Sequence, residues 1–302
     1  MSTNLGLAEI RAALLQWYPT SYAVGTDPCS VAFDGVNIWV TNYGSSGSGS
    51  TVTKLAASTG ALVDTYAVQL GPRGIAFDGT NMWVANDGAS SVSKLLASTG
   101  ATVGTYRVGT NPWGVAFDGV NIWVTNWGGE AGQTVTKLLA STGAVIGTYQ
   151  VGKGPTAAAF DGSNIWVANS AEDSVTKLLA STGAVVGTYP VGSGPQGIAF
   201  DGTNVWTANF NDGTVTKLLA STGELMGTYI VGTFPWGVAF DGTNIWVANS
   251  NDGTVTKLLA STGDVLGTYA VGSGPEGVAF DGTNIWVANQ ASNTVTKIPK
   301  TD

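Results

Sequence analysis

The chain has 302 residues, 43 of them glycine; 43% are hydrophobic, 10% aromatic and only 11% charged, a composition that fits neither a disordered chain nor the every-third-glycine pattern of collagen. It contains no histidine and one cysteine, Cys29, which excludes histidine-activated nucleophiles, histidine-bearing metal sites, internal disulfides and multi-cysteine clusters. Its net charge is −8 and its three arginines and nine lysines are scattered, so nucleic acid is not an expected partner.

Residues 1–17 are expected to form a segment apart from the main body at 18–302. The run MSTNLGLAEIRAALLQW lacks a basic start and carries Glu9 and Arg11 within its apolar part, unlike a secretory leader, and no stretch of the chain approaches a membrane span. Leu7, Ile10, Leu14 and Trp17 recur at three- and four-residue spacing, which predicts a short amphipathic helix over 4–16 packed on the rest of the protein, with a docking helix for a partner as the alternative. A soluble monomer is expected, with its compartment open.

From there the chain repeats. Ala-Phe-Asp-Gly occurs seven times, with its phenylalanine at Phe33, Phe77, Phe117, Phe160, Phe200, Phe240 and Phe280, and residues 193–232 match 233–272 at 29 of 40 positions. Each unit reads as four short strands, here a to d: GVAFD, NIWVAN, TVTKLL and AVVGTYPV. They are rich in β-branched and aromatic residues and separated by Gly, Pro, Asn, Asp and Ser. Four strands in about 40 residues predict one blade of a propeller. The chain enters with a lone d-like strand at 18–24 and leaves after a c strand at 294–298. Pairing the two closes the ring and removes an exposed edge. The expected fold is therefore all-β: a seven-bladed propeller of four antiparallel strands per blade, its last blade completed by the N-terminal strand.

The unit VGSGPEGVAFDGTNIWVANQASNTVTK resembles the repeats of the YVTN and NHL groups of propellers. In those repeats a Gly-Pro-x-Gly-Val-Ala stretch leads to an aspartate turn, an aromatic-bearing apolar strand and Ala-Asn or Ala-Asp. The likeness spans 18–298 and implies the fold. For function it implies only a group that includes binding scaffolds, surface proteins and some enzymes. The streptogramin lyases are similar in architecture, but their chemistry uses histidine, and this chain has none.

Several residues recur in every unit. The strand b tryptophans, Trp39, Trp83, Trp123, Trp166, Trp206, Trp246 and Trp286, are expected to pack between blades. Asp34, Asp78, Asp118, Asp161, Asp201, Asp241 and Asp281 each precede glycine and are expected to cap their turns. A ring of calcium ligands is the alternative, disfavoured because one carboxylate per blade is too dispersed. Lys54, Lys94, Lys137, Lys177, Lys217, Lys257 and Lys297 in strand c are read as solvated, their stems lying on the sheet.

Divergence between copies is confined to a few places. After the proline that opens strand a stand Cys29, Arg73, Trp113, Thr156, Gln196, Trp236 and Glu276; after the asparagine that ends strand b stand Tyr43, Asp87, Trp127, Ser170, Phe210, Ser250 and Gln290. Two insertions, 44–50 and 128–133, also fall between b and c. In a meander the d-to-a and b-to-c loops emerge on one face, so one face varies while the other carries near-identical DGTN and ASTG turns. Strand a lines the channel in such folds, which places the first set around its mouth. The candidate ligand site is Arg73, Trp113, Gln196, Trp236 and Glu276, extended by Tyr43, Asp87, Trp127, Phe210 and Phe234.

Three functions follow. The first is a non-enzymatic binding module taking a sugar, peptide or small molecule at that face, without metal or cofactor, Trp113 and Trp236 stacking on the ligand. The second is a lyase or hydrolase using Glu276, Asp87 and Asp27, the well-placed carboxylates. The third is a structural or multivalent scaffold, natural or designed, in which equivalent inter-blade surfaces matter more than the channel. Cys29 has no histidine to activate it and is read as an ordinary small residue.

Overall fold

The computed structural model describes residues 20–128 and 133–300. The expected helix over 4–16 and the residues at 129–132 of the second insertion lie outside that range. Among the described residues the strands form seven four-stranded antiparallel sheets, six of them in chain order; the third, for instance, runs Pro112–Phe117, Asn121–Asn126, Thr134–Leu139 and Val145–Gln150. The seventh joins Pro275–Phe280, Asn284–Asn289 and Thr294–Pro299 to Thr20–Ala23, with Thr20 opposite Lys297 and Ala23 opposite Thr294. Strand a of blade 1 lies against strand a of blade 7, so the ring is closed.

Strand b reads as an unbroken apolar run because both its faces are covered. Its tryptophan is fully buried in all seven blades and packs into the next blade: Trp39 of blade 1 lies with Ile75, Met82, Val84 and Leu95 of blade 2. Across the closure Trp286 packs with Ile38, Val40 and Leu55 of blade 1. A tyrosine from strand d covers each indole, as Tyr66 does Trp39 at 5.3 Å between ring centroids. The glycine of each ASTG turn makes room for that tyrosine: Gly100 has φ +74°, and a Cβ there would collide with the Tyr66 ring.

Each indole Nε1 donates to the aspartate of its own a-to-b turn at 2.7–2.8 Å. The other carboxylate oxygen accepts the turn's backbone N–H groups, in blade 1 those of Val36 at 2.9 Å and Asn37 at 2.6 Å. The turn-capping role is thus the observed one, and these carboxylates spend their lone pairs inside their own turns.

Six of the seven lysines are buried, and Lys297 is half-buried. Lys54, Lys94, Lys137, Lys177, Lys217 and Lys257 are only 4–5% exposed. Lys54 donates from Nζ to the carbonyl of Ala97 in the c-to-d turn of blade 2 at 2.7 Å, and Lys94, Lys137, Lys177 and Lys217 repeat this with Ala140, Ala180, Ala220 and Ala260. Lys297 closes the circuit on Ala57 at 2.8 Å. Every ammonium also sits 5.0–5.3 Å from the ring centre of its own blade's tryptophan. The lysines are inter-blade clamps, a role their strand position alone does not reveal because both faces of strand c are covered.

The two faces segregate as expected. The d-to-a loop meets the b-to-c loop, with Tyr43 N–H donating to the Asp27 carbonyl at 3.0 Å. The a-to-b turn meets the c-to-d turn on the other face, with Ala57 N–H donating to the Val36 carbonyl at 3.2 Å.

Candidate functional site

In all seven blades the pairing of strand a with strand b slips by one residue just after the opening proline; in blade 3 Pro112 faces Asn126 but Val115 faces Val124. This bulge frees the variable residue from the ladder and re-aims it. Five such residues, Arg73, Trp113, Gln196, Trp236 and Glu276, line a cavity of about 170 Å³ at the channel mouth together with Thr156 and Cys29. The sequence-derived ring is therefore brought together from blades 1 to 7.

The glycine after the variable residue sets the width of this mouth. A Cβ on Gly74 would collide with the Trp113 carbonyl of the next blade, and one on Gly197 with that of Trp236, so neighbouring a strands approach closely. As a result Trp113 and Trp236 do not face each other across a gap. Their ring centroids are 6.4 Å apart at 33°, an aromatic pair in direct contact, and a planar sugar or ring does not fit between them.

That pair is the centre of a continuous aromatic arc. Trp127 stacks on Trp113 at 5.4 Å and 10°. On the other side Phe210 meets Trp236 edge-on at 5.4 Å and stacks on Phe234 at 4.4 Å. A surface groove of about 460 Å³ between blades 5 and 6 runs beside Phe210 and Phe234. Arg73 lies between Tyr43 and Trp113, its Cζ 4.0 and 4.2 Å from their ring centres. Its Nε donates to Asp87 Oδ2 at 3.3 Å, and Asp87 also accepts from the Tyr43 hydroxyl at 3.2 Å and from Asn111 Nδ2 at 2.8 Å. Tyr43, Asp87, Trp127, Phe210 and Phe234 thus buttress or extend the mouth without lining its cavity.

The small residues turn aside. Thr156 Oγ1 donates to the Gln196 carbonyl at 2.9 Å, and Cys29 Sγ lies 3.3 Å from Thr41 Oγ1 and 3.4 Å from the Pro72 carbonyl. Burial first, and then the nearby Glu276, push the Cys29 thiol up to about 12, which leaves it an inert donor. Glu276 is 5% exposed, and no described residue donates a hydrogen bond to its carboxyl. Burial pushes its pKa up to about 8, against the opposing pull of Arg73. Gln196 Oε1 is likewise buried and unpartnered.

Asn111, which steers Asp87, was not among the candidate residues. The signal for it is its place immediately before strand a's proline, where all seven blades adopt positive φ: Asp27, Gly71, Asn111, Gly154, Gly194, Phe234 and Gly274. Phe234, at φ +55°, is the bulky residue of the set and is 40% exposed.

No protein-family model matches this sequence, nor does any curated relative. Solved structures do match it in fold. A streptogramin B lyase superposes with a TM-score of 0.77 at 18% identity over 93% of this chain and 96% of that one. Hydrazine synthase of Kuenenia stuttgartiensis gives 0.78 at 20% identity, over 92% and 97%. A catalytically inactive histidine-to-alanine virginiamycin B lyase from Staphylococcus aureus, with quinupristin, gives 0.78 at 17%, over 94% and 99%. At such identities the likeness is one of fold.

Proposed function

We propose that this propeller is a non-enzymatic binding protein with one asymmetric site, the channel mouth, which takes a small molecule or the compact end of a peptide or glycan. The observation that carries the reading is Phe234. A non-glycine residue at positive φ costs about 1 kcal/mol or more, and four blades hold glycine at the equivalent position. Here the strained residue is also a large, exposed apolar one, stacked on Phe210 at the end of the arc that reaches Trp236. Packing does not call for it, whereas a recognition surface does.

A lyase reading has less support. The virginiamycin B lyase variant is inactive for want of one histidine, and this chain has none. Asp87, one of the carboxylates considered for acid-base work, is committed to Arg73, Tyr43 and Asn111. The multivalent reading rests on surface hollows of about 420 and 390 Å³ at successive blade junctions of the near-identical face. Stoichiometry separates the two, one ligand per chain at the mouth against several on the other face.

The test is a fragment and glycan screen read by the indole N–H resonances of Trp113, Trp127 and Trp236. Hits should shift these and leave the seven buried indoles unmoved. In Phe234→Gly, which keeps the fold and relieves the strain, extended hits should bind about tenfold more weakly. Hits that shift only other resonances, or bind Trp236→Ala as tightly, refute the site.

A further inference from the structure

The cavity at the channel mouth holds acceptors to which no described protein group donates. Two acceptors in it have no protein donor among the described residues: Gln196 Oε1, which is fully buried and unpartnered, and the carboxyl of Glu276, a residue 5% exposed that lines the cavity. Buried polar atoms are nearly always paired, so an orphan acceptor points to a missing donor. Three of the groups near that space are turned elsewhere. Thr156 Oγ1 gives its proton to backbone carbonyls of the next blade, Cys29 Sγ faces Thr41 and the Pro72 carbonyl, and Arg73 Nε is held by Asp87.

The indoles point to the same chemistry. Among the described residues every one of the seven core tryptophans carries a lysine ammonium within about 5 Å of its ring centre, and Trp113 carries the Arg73 guanidinium at 4.2 Å. Trp236 lines the cavity and has no protein cation over it among those residues. A cation beside an indole and a buried carboxylate is a favourable and familiar arrangement. A ligand carboxylate, by contrast, would set a second acidic group beside the buried Glu276.

We propose that the cavity receives the ammonium group of a small organic amine, its N–H groups donating to Glu276 and Gln196 Oε1 beside Trp236. This rests on the channel-mouth reading above and names the ligand class for it. A volume of about 170 Å³ accommodates the ammonium and a short alkyl stem, and leaves any larger body to the aromatic arc outside.

The electrostatics give the proposal a pH signature. Glu276 faces Arg73, Asp27 and the Cys29 thiol, and burial raises its pKa to about 8. An ammonium favours the ionised form, so binding expels a proton below that value and affinity rises with pH. Where only the ionised site binds, the gain from about pH 6 to about pH 9 is about 100-fold.

The experiment titrates wild-type protein with n-butylammonium, n-butanol and butanoate at both pH values, following the Trp113 and Trp236 indole resonances. The expected result is a clear n-butylammonium shift that tightens toward high pH, with the alcohol and the acid each about tenfold weaker or more at the higher pH. Glu276→Gln should weaken the ammonium and flatten its pH profile without changing the alcohol. Preferential binding of butanoate that tightens at low pH overturns the amine assignment and leaves the channel-mouth site standing. Equal binding of all three probes does the same. No shift from any probe also overturns it, and the site itself falls only if the fragment screen leaves those resonances unmoved as well.

Discussion

Thr207 stands where the six other blades have valine, as at Val167 and Val247, and it is fully buried with no partner for its hydroxyl. Such an orphan group costs about 1–3 kcal/mol, so Thr207→Val should raise Tm and stabilise by about 1 kcal/mol in denaturant titration; an unchanged midpoint would show that the hydroxyl is satisfied in solution. Glu276 gives a second residue-scale prediction with a definite sign. Its folded pKa is raised from an ordinary 4.5 to about 8, so the native state binds the extra proton between those values. Stability from this group is complete below 4.5 and is lost as pH rises through about 8. Wild-type Tm should therefore fall across that window relative to Glu276→Gln, and parallel profiles would refute it. Thr207 stands out when the copies are aligned against one another, because an odd residue in a repeat needs no structure to be noticed, whereas Glu276 stands at a position that varies from copy to copy. The lysine clamps do not stand out. Period-two reasoning assigns one side of a strand to solvent, but both sides of strand c are covered, and the acceptor for Lys54 is Ala97 in the next repeat, out of reach of any local pattern.

At the scale of the element, the a-to-b hairpin is the unit that the DGTN turn and the strand b tryptophan build together. Its aspartate caps the turn and accepts the indole proton, so strand b cannot slip without unpairing a buried N–H. Burial works against ionisation of Asp34, Asp78, Asp118, Asp161 and Asp241, but the indole and turn N–H donors outweigh it and hold these carboxyls below their ordinary value. Stability from them is complete above the unfolded value of about 3.9 and is lost as pH falls through the lower folded values, so acid unfolding should be steep below about pH 4. Asp161→Asn keeps the turn's shape but sets an amide against the Trp166 indole. It should cost about 2 kcal/mol at neutral pH and make the acid transition shallower; a variant with wild-type stability would reduce the carboxylate to a turn residue. Strand order, strand type and turn chemistry were all legible from residue types. The bulge after the strand a proline was not, because it depends on how closely the neighbouring a strand approaches. For the same reason the positions around the mouth could be named while the contact between Trp113 and Trp236 could not: the glycines at 74 and 197 set the channel radius through backbone in the next blade.

For the molecule as a whole, closure decides both stability and site. In an open array each blade would answer only to its neighbours, and loss of an end would cost one blade. In this ring the N-terminal strand is the outer strand of blade 7: Tyr22 lies 5.7 Å from Trp286, Ser21 shares a 2.9 Å hydrogen bond with Thr296, and Val24 N–H reaches the Asn293 carbonyl. Closure also sets Glu276 of blade 7 beside Cys29 of blade 1 and in the same cavity as Arg73 of blade 2, so the mouth exists only while the ring is shut. Removing residues 1–24 should strip the outer edge from Thr294–Pro299, uncover the Trp286 indole and leave an unpaired strand that seeks another chain. The expected outcome is a Tm lower by several degrees, concentration-dependent association by light scattering, and loss of the pH-dependent ammonium response at Trp236. If the shorter chain lacking 1–24 stays monomeric with an unchanged Tm, the seventh blade is held by its three remaining strands, and the inter-blade clamps and tryptophans, not the added strand, close the ring.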